Sequence, residues 1–478
     1  MKKQQSYAFE ISSLTPAGKG LAVLDGVETT IPFALPGQQV QAFVHKKKRG
    51  AAEAKLQGVL RPRLDEVRPF CPHFGQPPDE AGKGCGGCSW QQLTYPAQLT
   101  LKQQMLERLL APLLPGLALN PIIPSPQERH YRNKVEFSFG DKLYLSEERY
   151  HALREAGEPM PTGFYLGFHV PGSYGTSVDV GECHLISPEA LKVYQTLRQL
   201  LPDLGGEVYS PRRHTGYWRH LVLRQGIHSG ELMVHFNTTD SHSPDWSLAL
   251  KELNRLDLGE VRIRSVLHSV HTGDAQIVGW NTPTILQGEA LIEDELCGLR
   301  FEISPYAFFQ TNTLAAERLY GEIVRLSHLE RQPVVYDLYS GTGSIGMVLA
   351  RQGAARVYGL EEIATAVADA ERNAARNGLS NCRFLAGRVE ARLAELLASD
   401  RPDLIVLDPP RAGLHPKVPP MLNQLRLPQL LYVSCNPAAL ARDLSLLLPA
   451  YTVSEIQPVD LFPQTGHVET VVRLEARP

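Results

Sequence analysis

The most constraining feature of this sequence is a regular alternation of short buried strands and helices beyond residue 299. An apolar run at 334–339 (VVYDLY) predicts a buried strand, and the glycine-rich turn SGTGSIG at 340–346 opens a helix. Further strands are predicted at 356–360, 383–386, 404–407 and 431–433, and further helices at 313–327 and 364–377. This order predicts an α/β fold with a doubly wound parallel sheet, which binds ligands at the carboxyl ends of its strands.

Two neighbouring strands of this predicted sheet are followed by side chains that could take part in a reaction. Asp408 begins the sequence DPPR, in which two prolines make a rigid turn. Cys435 follows the next strand, in the sequence SCNP, and the proline there prevents the strand from continuing. A thiol at this edge is a candidate nucleophile. Most free cysteines are small buried apolar residues, however, so Cys435 alone does not decide the function.

The glycine-rich turn is compatible with two kinds of cofactor. Gly341, Gly343 and Gly346 match the dinucleotide fingerprint, and the acidic Glu361 follows at the next strand end. Enzymes that use S-adenosylmethionine have the same architecture, so the glycines leave both alternatives open. Hydride transfer has no evident use for Cys435. Methylation of a pyrimidine ring carbon does, because that carbon is a poor nucleophile until a group adds to its neighbour.

The N-terminal 60 residues contain five short runs with β propensity, at 7–11, 21–24, 28–32, 39–45 and 51–60, separated by turn sequences. This pattern predicts a small β-barrel. The basic run at 45–49 (HKKKR) is suited to binding a phosphate backbone, although a solvated hairpin tip explains it equally well. The net charge of −3 gives no global attraction to nucleic acid, so binding must come from local patches.

Seven cysteines without a secretion signal argue against a disulfide framework. Cys85 and Cys88 flank two glycines and can bind one metal centre together with Cys71 and Cys183. Zinc is the main competitor and a redox disulfide is a weaker one. The set lacks the two paired knuckles of a common zinc finger, so an iron–sulfur cluster fits at least as well. Residues 76–83, between the first two cysteines, are rich in turn formers and can loop out.

The middle of the chain predicts one helix near 93–110 and strands at 135–139, 163–169, 221–225, 231–236 and 265–271. The sequence RHYRNK at 129–134 mixes basic and aromatic residues, which suits both base stacking and a salt-bridged strand edge. The length of 478 residues suggests about three domains. No run approaches the ~18 apolar residues of a membrane span, so a cytoplasmic protein without membrane contact is expected.

Several motifs together resemble the RNA uracil-5-methyltransferase family. They are FFQTN with Gln310, DLYSGTGSIG, DPPR, SCNP and the terminal GHVET at 466–470, and they follow the family's order over about the last 180 residues. The turns GKGLA at 18–22 and ALPG at 34–37 resemble the TRAM domain, an OB-like RNA-binding barrel. With the four cysteines, the likeness extends to nearly the whole chain. It matches the branch that acts on 23S ribosomal RNA and carries a four-iron four-sulfur (4Fe-4S) cluster.

The resemblance implies a role for each matching residue. Cys435 is the nucleophile that adds to carbon 6 of uracil, and Glu469 is the base that removes the carbon 5 proton. The residues implied to line the S-adenosylmethionine site are Gln310, Tyr339, Gly341, Glu361 and Asp408. The residues implied to bind the cluster are Cys71, Cys85, Cys88 and Cys183.

The same resemblance implies three domains: a TRAM-like domain at 1–62, a central β-rich iron–sulfur domain at 63–290 and a Rossmann-like methyltransferase domain at 291–478. The expected protein is a monomer that makes 5-methyluridine in 23S ribosomal RNA without an obligate protein partner. A transfer RNA uracil methyltransferase is the alternative with the same chemistry. Alternatives of other classes are a nicotinamide-linked iron–sulfur oxidoreductase and a noncatalytic RNA-binding protein.

Overall fold

The computed structural model describes residues 1–75, 84–145, 147–169, 176–275, 277–278 and 281–478. The segment 76–83, for which the sequence suggests a loop, lies outside the described residues. All five β-prone runs near the N-terminus are strands. The strands are β1 (Gln5–Glu10), β2 (Ser13–Leu14), β3 (Gly20–Leu24), β4 (Val27–Ile31), β5 (Gln39–Lys48) and β6 (Ala51–Arg61). They form one sheet in the order β1-β5-β6-β4-β3-β2.

A helix and a second sheet follow in the middle of the chain. The elements are α1 (Tyr95–Leu110), β7 (Lys134–Lys142), α2 (Glu147–Glu155), β8 (Thr162–His169), β9 (Ser177–Asp179), α3 (Pro188–Leu200), β10 (Trp218–Gln225), β11 (Glu231–Thr238), α4 (Ser247–Asn254), β12 (Arg262–Val270) and β13 (Thr284–Gly288). The sheet order is β13-β12-β11-β10-β7-β8-β9. A separate hairpin, β14 (Ile292–Leu296) and β15 (Leu299–Ile303), leads into the last part of the chain.

The last part alternates helices and strands as the sequence predicts. Its elements are α5 (Thr313–Leu326), β16 (Val334–Leu338), α6 (Ser344–Gln352), β17 (Arg356–Glu361), α7 (Ala364–Arg376), β18 (Cys382–Ala386), α8 (Val389–Ser399), β19 (Leu404–Leu407), α9 (Val418–Leu425), β20 (Gln429–Ser434), α10 (Pro437–Leu447), β21 (Tyr451–Val459) and β22 (Glu469–Ala476). Among the helices that the structure describes, none has the length and apolar composition to cross a lipid bilayer.

The C-terminal sheet is mixed, which corrects the prediction of a parallel one. Its order is β18-β17-β16-β19-β20-β22-β21, and the first five strands are parallel. β22 runs antiparallel to both of its neighbours. The reason is the connection before it: a parallel neighbour needs a crossover of a dozen or more residues, usually with a helix, whereas the short segment 460–468 contains no helix.

Both faces of this sheet are buried. Alternate residues of each strand enter two apolar cores, so that Val335 and Leu431 lie in one core while Tyr336 and Leu430 lie in the other. Side chains from α5, α6 and α7 complete the first core, and side chains from α8, α9 and α10 complete the second. Burial on both faces explains why the parallel strands read as continuous apolar runs. It leaves the carboxyl edge of the sheet as the place for polar chemistry.

Candidate active site

Cys435 and Glu469 lie at the edge where β20 ends and β22 begins. The two strands pair antiparallel, with Ser434 opposite Thr470 as the last pair. Cys435 directly follows this pair on one strand and Glu469 directly precedes it on the other, so the two side chains are close enough for their charges to interact. The antiparallel insertion of β22 therefore brings together a thiol and a carboxyl from distant parts of the sequence.

Burial shifts the pKa values of both groups upward. Glu469 is only 4% exposed, and burial, reinforced by the charge of Asp408 and opposed by Arg411, raises its pKa to about 8. Burial, with the charges of Glu469 and Asp408, raises the pKa of the Cys435 thiol to about 11, and Arg411 again opposes the shift. The thiol and the carboxyl therefore hold their protons near neutral pH, and the guanidinium of Arg411 favours their release.

Asp408 belongs to the same edge. Its backbone N–H donates to the carbonyl of Leu338 at 3.3 Å, which fixes it at the end of β19. Burial, followed by the charge of Asp337, raises the pKa of Asp408 to about 7. Asp337, Asp408 and Glu469 thus share one poorly hydrated edge. This arrangement favours a positively charged ligand.

The turn after Cys435 is held by Asn436. Its side-chain oxygen accepts a hydrogen bond from the N–H of Ala438 at 3.1 Å and so caps α10. Its amide nitrogen donates to the carbonyl of Arg411 at 2.8 Å. One side chain therefore ties the SCNP turn to the DPPR turn, and fixes Cys435 relative to Arg411.

The glycine-rich turn adopts the conformation expected of a cofactor loop. Gly341 has a φ of +54°, and its N–H donates to a carboxylate oxygen of Glu361 at 3.0 Å. Gly343 has a φ of +77°, and a Cβ there would lie 2.4 Å from the ring of Phe384. Positive φ favours glycine at both positions, and the close approach of Phe384 adds a second requirement for glycine at position 343. The turn consequently lies tightly against the strand end that carries Glu361.

Gln310 and Tyr339 lie on segments that contact this turn. The hydroxyl of Thr342 donates to the carbonyl of Phe308 at 3.1 Å, which holds the FFQTN segment against the loop. Gln310 is buried, and its backbone carbonyl accepts a hydrogen bond from the side chain of Asn133 at 2.8 Å. Tyr339 has a φ of +66°, and burial raises its pKa to about 12. The structure therefore groups all five predicted cofactor residues at one edge of the sheet.

Buried polar atoms beside the glycine-rich turn lack a hydrogen-bond partner among the described residues. Oγ of Ser340 and Oδ1 of Asp337 are examples. The other carboxyl oxygen of Asp337 accepts from the N–H of Gly346 at 2.9 Å. An unpaired buried polar atom costs free energy unless a ligand supplies the missing partner. The edge therefore fits a polar cofactor such as S-adenosylmethionine.

The four cysteines predicted to bind a cluster line a single cavity of about 730 Å³, although Cys183 is far from the others in sequence. All seven cysteines of the chain are free thiols. Burial raises the pKa of each of the four, to about 12 for Cys85. Arg132 and Phe308 of the FFQTN segment also line this cavity. The carbonyl of Phe308 accepts a hydrogen bond from Thr342 of the glycine-rich turn, so the cavity lies beside the proposed cofactor edge.

The geometry of these cysteines does not match a site for one metal ion. No group of three or more His, Cys, Asp or Glu side chains within the described ranges is arranged to hold a single ion. Such an ion needs its sulfur ligands at about 2.3 Å from one point. In a 4Fe-4S cluster each thiolate binds a different iron, so the sulfurs stand further apart. Four free thiols around one cavity fit that donor set.

The segment 129–134 departs from the base-stacking interpretation. Tyr131 is buried, and its hydroxyl donates to the carbonyl of Pro463 at 3.0 Å. The guanidinium of Arg129 lies 3.8 Å from the centre of the Phe70 ring. Lys134 and Glu136 form an ion pair, as a salt-bridged strand would. Arg132 and Lys134 of this segment line the cavity.

Some contributing residues are not evident from the sequence pattern. Asp337 is embedded in an apolar strand, where the alternation of faces hides its role as the acceptor for Gly346. Asn436 is read as a strand terminator, yet it also joins two turns. The buried Lys102, which forms an ion pair with Asp460, falls among the apolar residues of α1 and has no sequence signal. Its role depends on a contact across 358 positions.

Comparison with known proteins agrees with this geometry. Residues 293–477 match the family model described as tRNA (uracil-5-)-methyltransferase. An RNA methyltransferase of Clostridium tetani is 33% identical over 482 residues, covering 100% of this chain and 99% of the relative. A second RNA methyltransferase, from Nitratidesulfovibrio vulgaris, is 35% identical over 470 residues, covering 97% of this chain and 94% of the relative.

A solved structure extends the likeness to three dimensions. The tRNA (uracil-54, C5)-methyltransferase of Pyrococcus abyssi, in complex with S-adenosyl-L-homocysteine, superposes with a TM-score of 0.71 at 26% identity. The match covers 98% of this chain and 100% of that one. The glycine-rich turn left open the alternative of a nicotinamide-linked oxidoreductase. These comparisons support a methyltransferase instead. The chain belongs to the RNA uracil-5-methyltransferase family, whose members transfer a methyl group from S-adenosylmethionine.

Proposed function

We propose that this protein methylates carbon 5 of a uridine in 23S ribosomal RNA through a covalent adduct with Cys435. The observation that carries the proposal is the pairing of β20 with β22, which brings the Cys435 thiol and the buried Glu469 carboxyl together at the ligand edge. Transfer to carbon 5 of uracil needs a nucleophile for carbon 6 and a base for the carbon 5 proton. Cys435 and Glu469 are of the right chemical types for these two roles.

The steps balance with these two side chains. The Cys435 thiolate adds to carbon 6, and the electron pair of the 5,6 double bond forms an enolate that is nucleophilic at carbon 5. Carbon 5 then accepts the methyl group that S-adenosylmethionine supplies when bound. The Glu469 carboxylate removes the carbon 5 proton, the double bond re-forms, and the bond from carbon 6 to sulfur breaks. Arg411 favours the ionised forms of both side chains.

The cofactor residues are proposed from the same edge. Gln310, Tyr339, Gly341, Glu361 and Asp408 line the S-adenosylmethionine site, with the backbone of Gly341 approaching the ligand closely. Glu361 accepts hydrogen bonds from the N–H of Gly341 at 3.0 Å and from the N–H of Ile363 at 2.9 Å. The carboxylate is therefore already oriented at the strand end, as a group that holds ribose hydroxyls needs to be.

The domain roles follow as proposals. Residues 1–62 form the TRAM-like RNA-binding domain, residues 63–290 the central iron–sulfur and RNA-binding domain, and residues 291–478 the methyltransferase domain. A thiol in a crevice cannot reach a stacked base, so the target uridine must be flipped out of its stack. A loop of ribosomal RNA, whose bases unstack at low cost, suits this requirement.

A 4Fe-4S cluster bound by Cys71, Cys85, Cys88 and Cys183 is part of the proposal. The support is the donor set of four free thiols around one cavity. Methyl transfer needs no electron transfer, so the cluster serves structure or RNA positioning. Anaerobically purified protein is expected to contain iron and acid-labile sulfide, and Cys85→Ala is expected to lose both. Stoichiometric zinc without sulfide would contradict the cluster.

A transfer RNA substrate is the second candidate. It is favoured by the Pyrococcus abyssi enzyme, which is described as acting on uracil 54 of tRNA, and by the name of the matching family model. The four cysteines favour ribosomal RNA, because their pattern resembles that of the branch of the family that acts on 23S ribosomal RNA. Both candidates use the same Cys435 and Glu469 chemistry.

The deciding experiment offers unmodified ribosomal and transfer RNA separately, with methyl-labelled S-adenosylmethionine, followed by nucleoside analysis. We expect label in 5-methyluridine from 23S ribosomal RNA with the wild-type protein and none with Cys435→Ala. Cys382→Ala is the matched control, because Cys382 is a buried core thiol at the amino end of β18, on the edge of the sheet opposite to Cys435. Label only from transfer RNA would establish the second candidate. Unchanged activity in Cys435→Ala would rule out the covalent mechanism.

A further inference from the structure

The segment 460–468, here called the base loop, connects β21 to β22. Glu469, the first residue of β22, directly follows it. Its central residue is bound by the cysteine-bearing segment 85–90, here called the cysteine turn. The N–H groups of Ser89 and Trp90, which directly follow Cys88, both donate to the carbonyl of Gln464, at 2.9 and 3.0 Å. Two backbone hydrogen bonds therefore join the cysteine turn to the base loop, so a change in the conformation of the cysteine turn would displace the base loop.

A glutamine pair strengthens the same connection. Gln98 of α1 donates to the side-chain oxygen of Gln464 at 2.9 Å, and the N–H of Gln464 donates back to Gln98 at 2.8 Å. Gln98 also donates to the carbonyl of Trp90 at 3.2 Å. Gln464 has a φ of +70°, which a non-glycine residue adopts only when its surroundings hold it there. Gln98 is therefore a clamp between the cysteine turn and the base loop.

The base loop is fixed at both of its ends as well. Asp460 and Lys102 form a completely buried ion pair at 2.7 Å, and Lys102 donates also to the carbonyl of Phe462 at 3.1 Å. At the other end Gly466 packs against Gly18 and the ring of Trp90, and a Cβ on it would lie 2.7 Å from Gly18. Trp90, the last residue of the cysteine turn, thus contacts the base loop at Gly466, three residues before Glu469.

We infer that the cysteine turn and Gln98 position the carboxylate of Glu469 for removal of the carbon 5 proton. This inference rests on the proposed function, because it assigns the cysteine set to one step of that reaction. Addition of Cys435 to carbon 6 and methyl transfer to carbon 5 do not need this carboxylate. Elimination does: without a base at carbon 5 the double bond cannot re-form and the carbon 6 to sulfur bond cannot break. A displaced base loop therefore leaves the methylated RNA attached to Cys435.

The test uses Gln98→Ala and Gln464→Gly in the full-length protein with labelled S-adenosylmethionine and substrate RNA. Glycine suits the positive φ of residue 464, so that variant removes only the side-chain half of the clamp. We expect kcat to fall at least about ten-fold, since a positioned base contributes about 10²–10⁴-fold. The KM for S-adenosylmethionine is expected to stay unchanged. A protein–RNA species that carries the labelled methyl group and survives denaturing electrophoresis is expected to accumulate.

Gln103→Ala is the matched control. Gln103 lies on the same helix, but its partners are Glu107, Asn120 and Ile122 rather than the base loop. It should release product like the wild type. Cys88→Ala should accumulate the same methylated adduct, because it alters the cysteine turn while sparing the cofactor edge.

Turnover at the wild-type rate in both clamp variants would overturn the inference, and so would a slower reaction without trapped, methylated adduct. If Gln98→Ala does not fold, as judged by S-adenosylmethionine binding in calorimetry, Gln464→Gly alone decides. Failure of the proposed function appears differently, as a wild-type protein that makes no 5-methyluridine or as a Cys435→Ala variant that still makes it.

Discussion

At the scale of single residues, Glu469 has two properties that oppose each other. A base must be ionised, yet burial raises the pKa of this carboxyl to about 8. Below that pH most molecules hold a proton on Glu469 and cannot remove another from carbon 5. The high pKa has a compensating benefit, because a more basic carboxylate is a better proton acceptor near neutral pH.

The first prediction is that product release becomes faster as pH rises through about 8. The ionised fraction of Glu469 grows about ten-fold per pH unit below its pKa, so the decay of the methylated adduct should accelerate accordingly. Quenched-flow measurement between pH 6 and 9 gives this rate directly. In Glu469→Gln, the decay should be slow and should lose this pH dependence. A wild-type rate that is flat across pH 8 would show that another group removes the proton.

The second prediction concerns stability. The pKa of Glu469 in the folded protein, about 8, lies above its ordinary value of 4.5, so the folded state binds the proton more tightly. Its favourable contribution is complete below pH 4.5 and is lost as pH rises through about 8. Glu469→Gln should therefore melt at a higher temperature than the wild type at pH 9, with a smaller difference at pH 6. Each pKa unit corresponds to about 1.4 kcal/mol.

The control for this measurement is Glu475→Gln. Glu475 lies on the same strand, half exposed and paired with Arg473 at 2.7 Å. A surface carboxyl contributes little to the free energy of unfolding, so its replacement should leave the melting temperature nearly unchanged at both pH values. Equal behaviour of the two variants would contradict burial as the cause of the Glu469 shift.

At the scale of elements, the glycine-rich turn depends on space as well as on backbone freedom. Gly343→Ala would force a Cβ to 2.4 Å from Phe384, at a φ of +77°. Gly378 has a similar φ of +68°, but nothing lies within 4 Å of a Cβ built there. The two glycines thus separate the cost of conformation from the cost of overlap.

The third prediction follows from this pair. Gly378→Ala should lower the free energy of unfolding by about 1–2 kcal/mol, the cost of a left-handed conformation. Gly343→Ala should cost about 1–3 kcal/mol more, because the ring of Phe384 must move. It should also weaken S-adenosylmethionine binding, measured by calorimetry, while Gly378→Ala should not. Equal costs in urea unfolding would mean that the turn relaxes freely.

The elements also show what the sequence could and could not predict. Continuous apolar runs, such as 334–338 and 404–407, identify strands that are buried on both faces, and the turn residues between them identify their ends. The pairing of β22 with β20 could not be predicted, because nothing in the sequence pattern shows whether β21 or β22 is the neighbour of β20 in the sheet. Motif resemblance assigned Glu469 its role, but its proximity to Cys435 came only from the fold.

At the scale of the whole molecule, the buried ion pair of Lys102 and Asp460 joins helix α1 to the base loop. The fourth prediction is that Lys102→Met lowers the free energy of unfolding by about 3–5 kcal/mol, because it leaves a buried carboxylate unpaired. The double variant Lys102→Met with Asp460→Asn should recover most of this loss. Asparagine keeps an oxygen that can accept the N–H of Phe462, as Asp460 does at 2.9 Å. Urea unfolding of the three proteins measures both effects.

A double variant no more stable than Lys102→Met alone would contradict this account. It would mean that helix packing, rather than the unpaired charge, carries the cost. The sequence gives no hint of either possibility, since a lysine within an amphipathic helix is normally a solvated residue. The four cysteines are the opposite case: their number and spacing predicted a common site, and the structure groups them around one cavity.

The glutamine clamp has a consequence for how the chain folds and how it can be divided. Gln98 and Gln464 are 366 positions apart, so their contact closes a very long loop. Such contacts are slow to form, and much of the intervening polypeptide must be ordered before they do. The carboxylate of Glu469 should therefore reach its final position late in folding, after its own sheet exists. A chimaera that exchanged the N-terminal half for that of a relative would keep the methyltransferase sheet, yet its activity would depend on whether the new half carried a matching clamp.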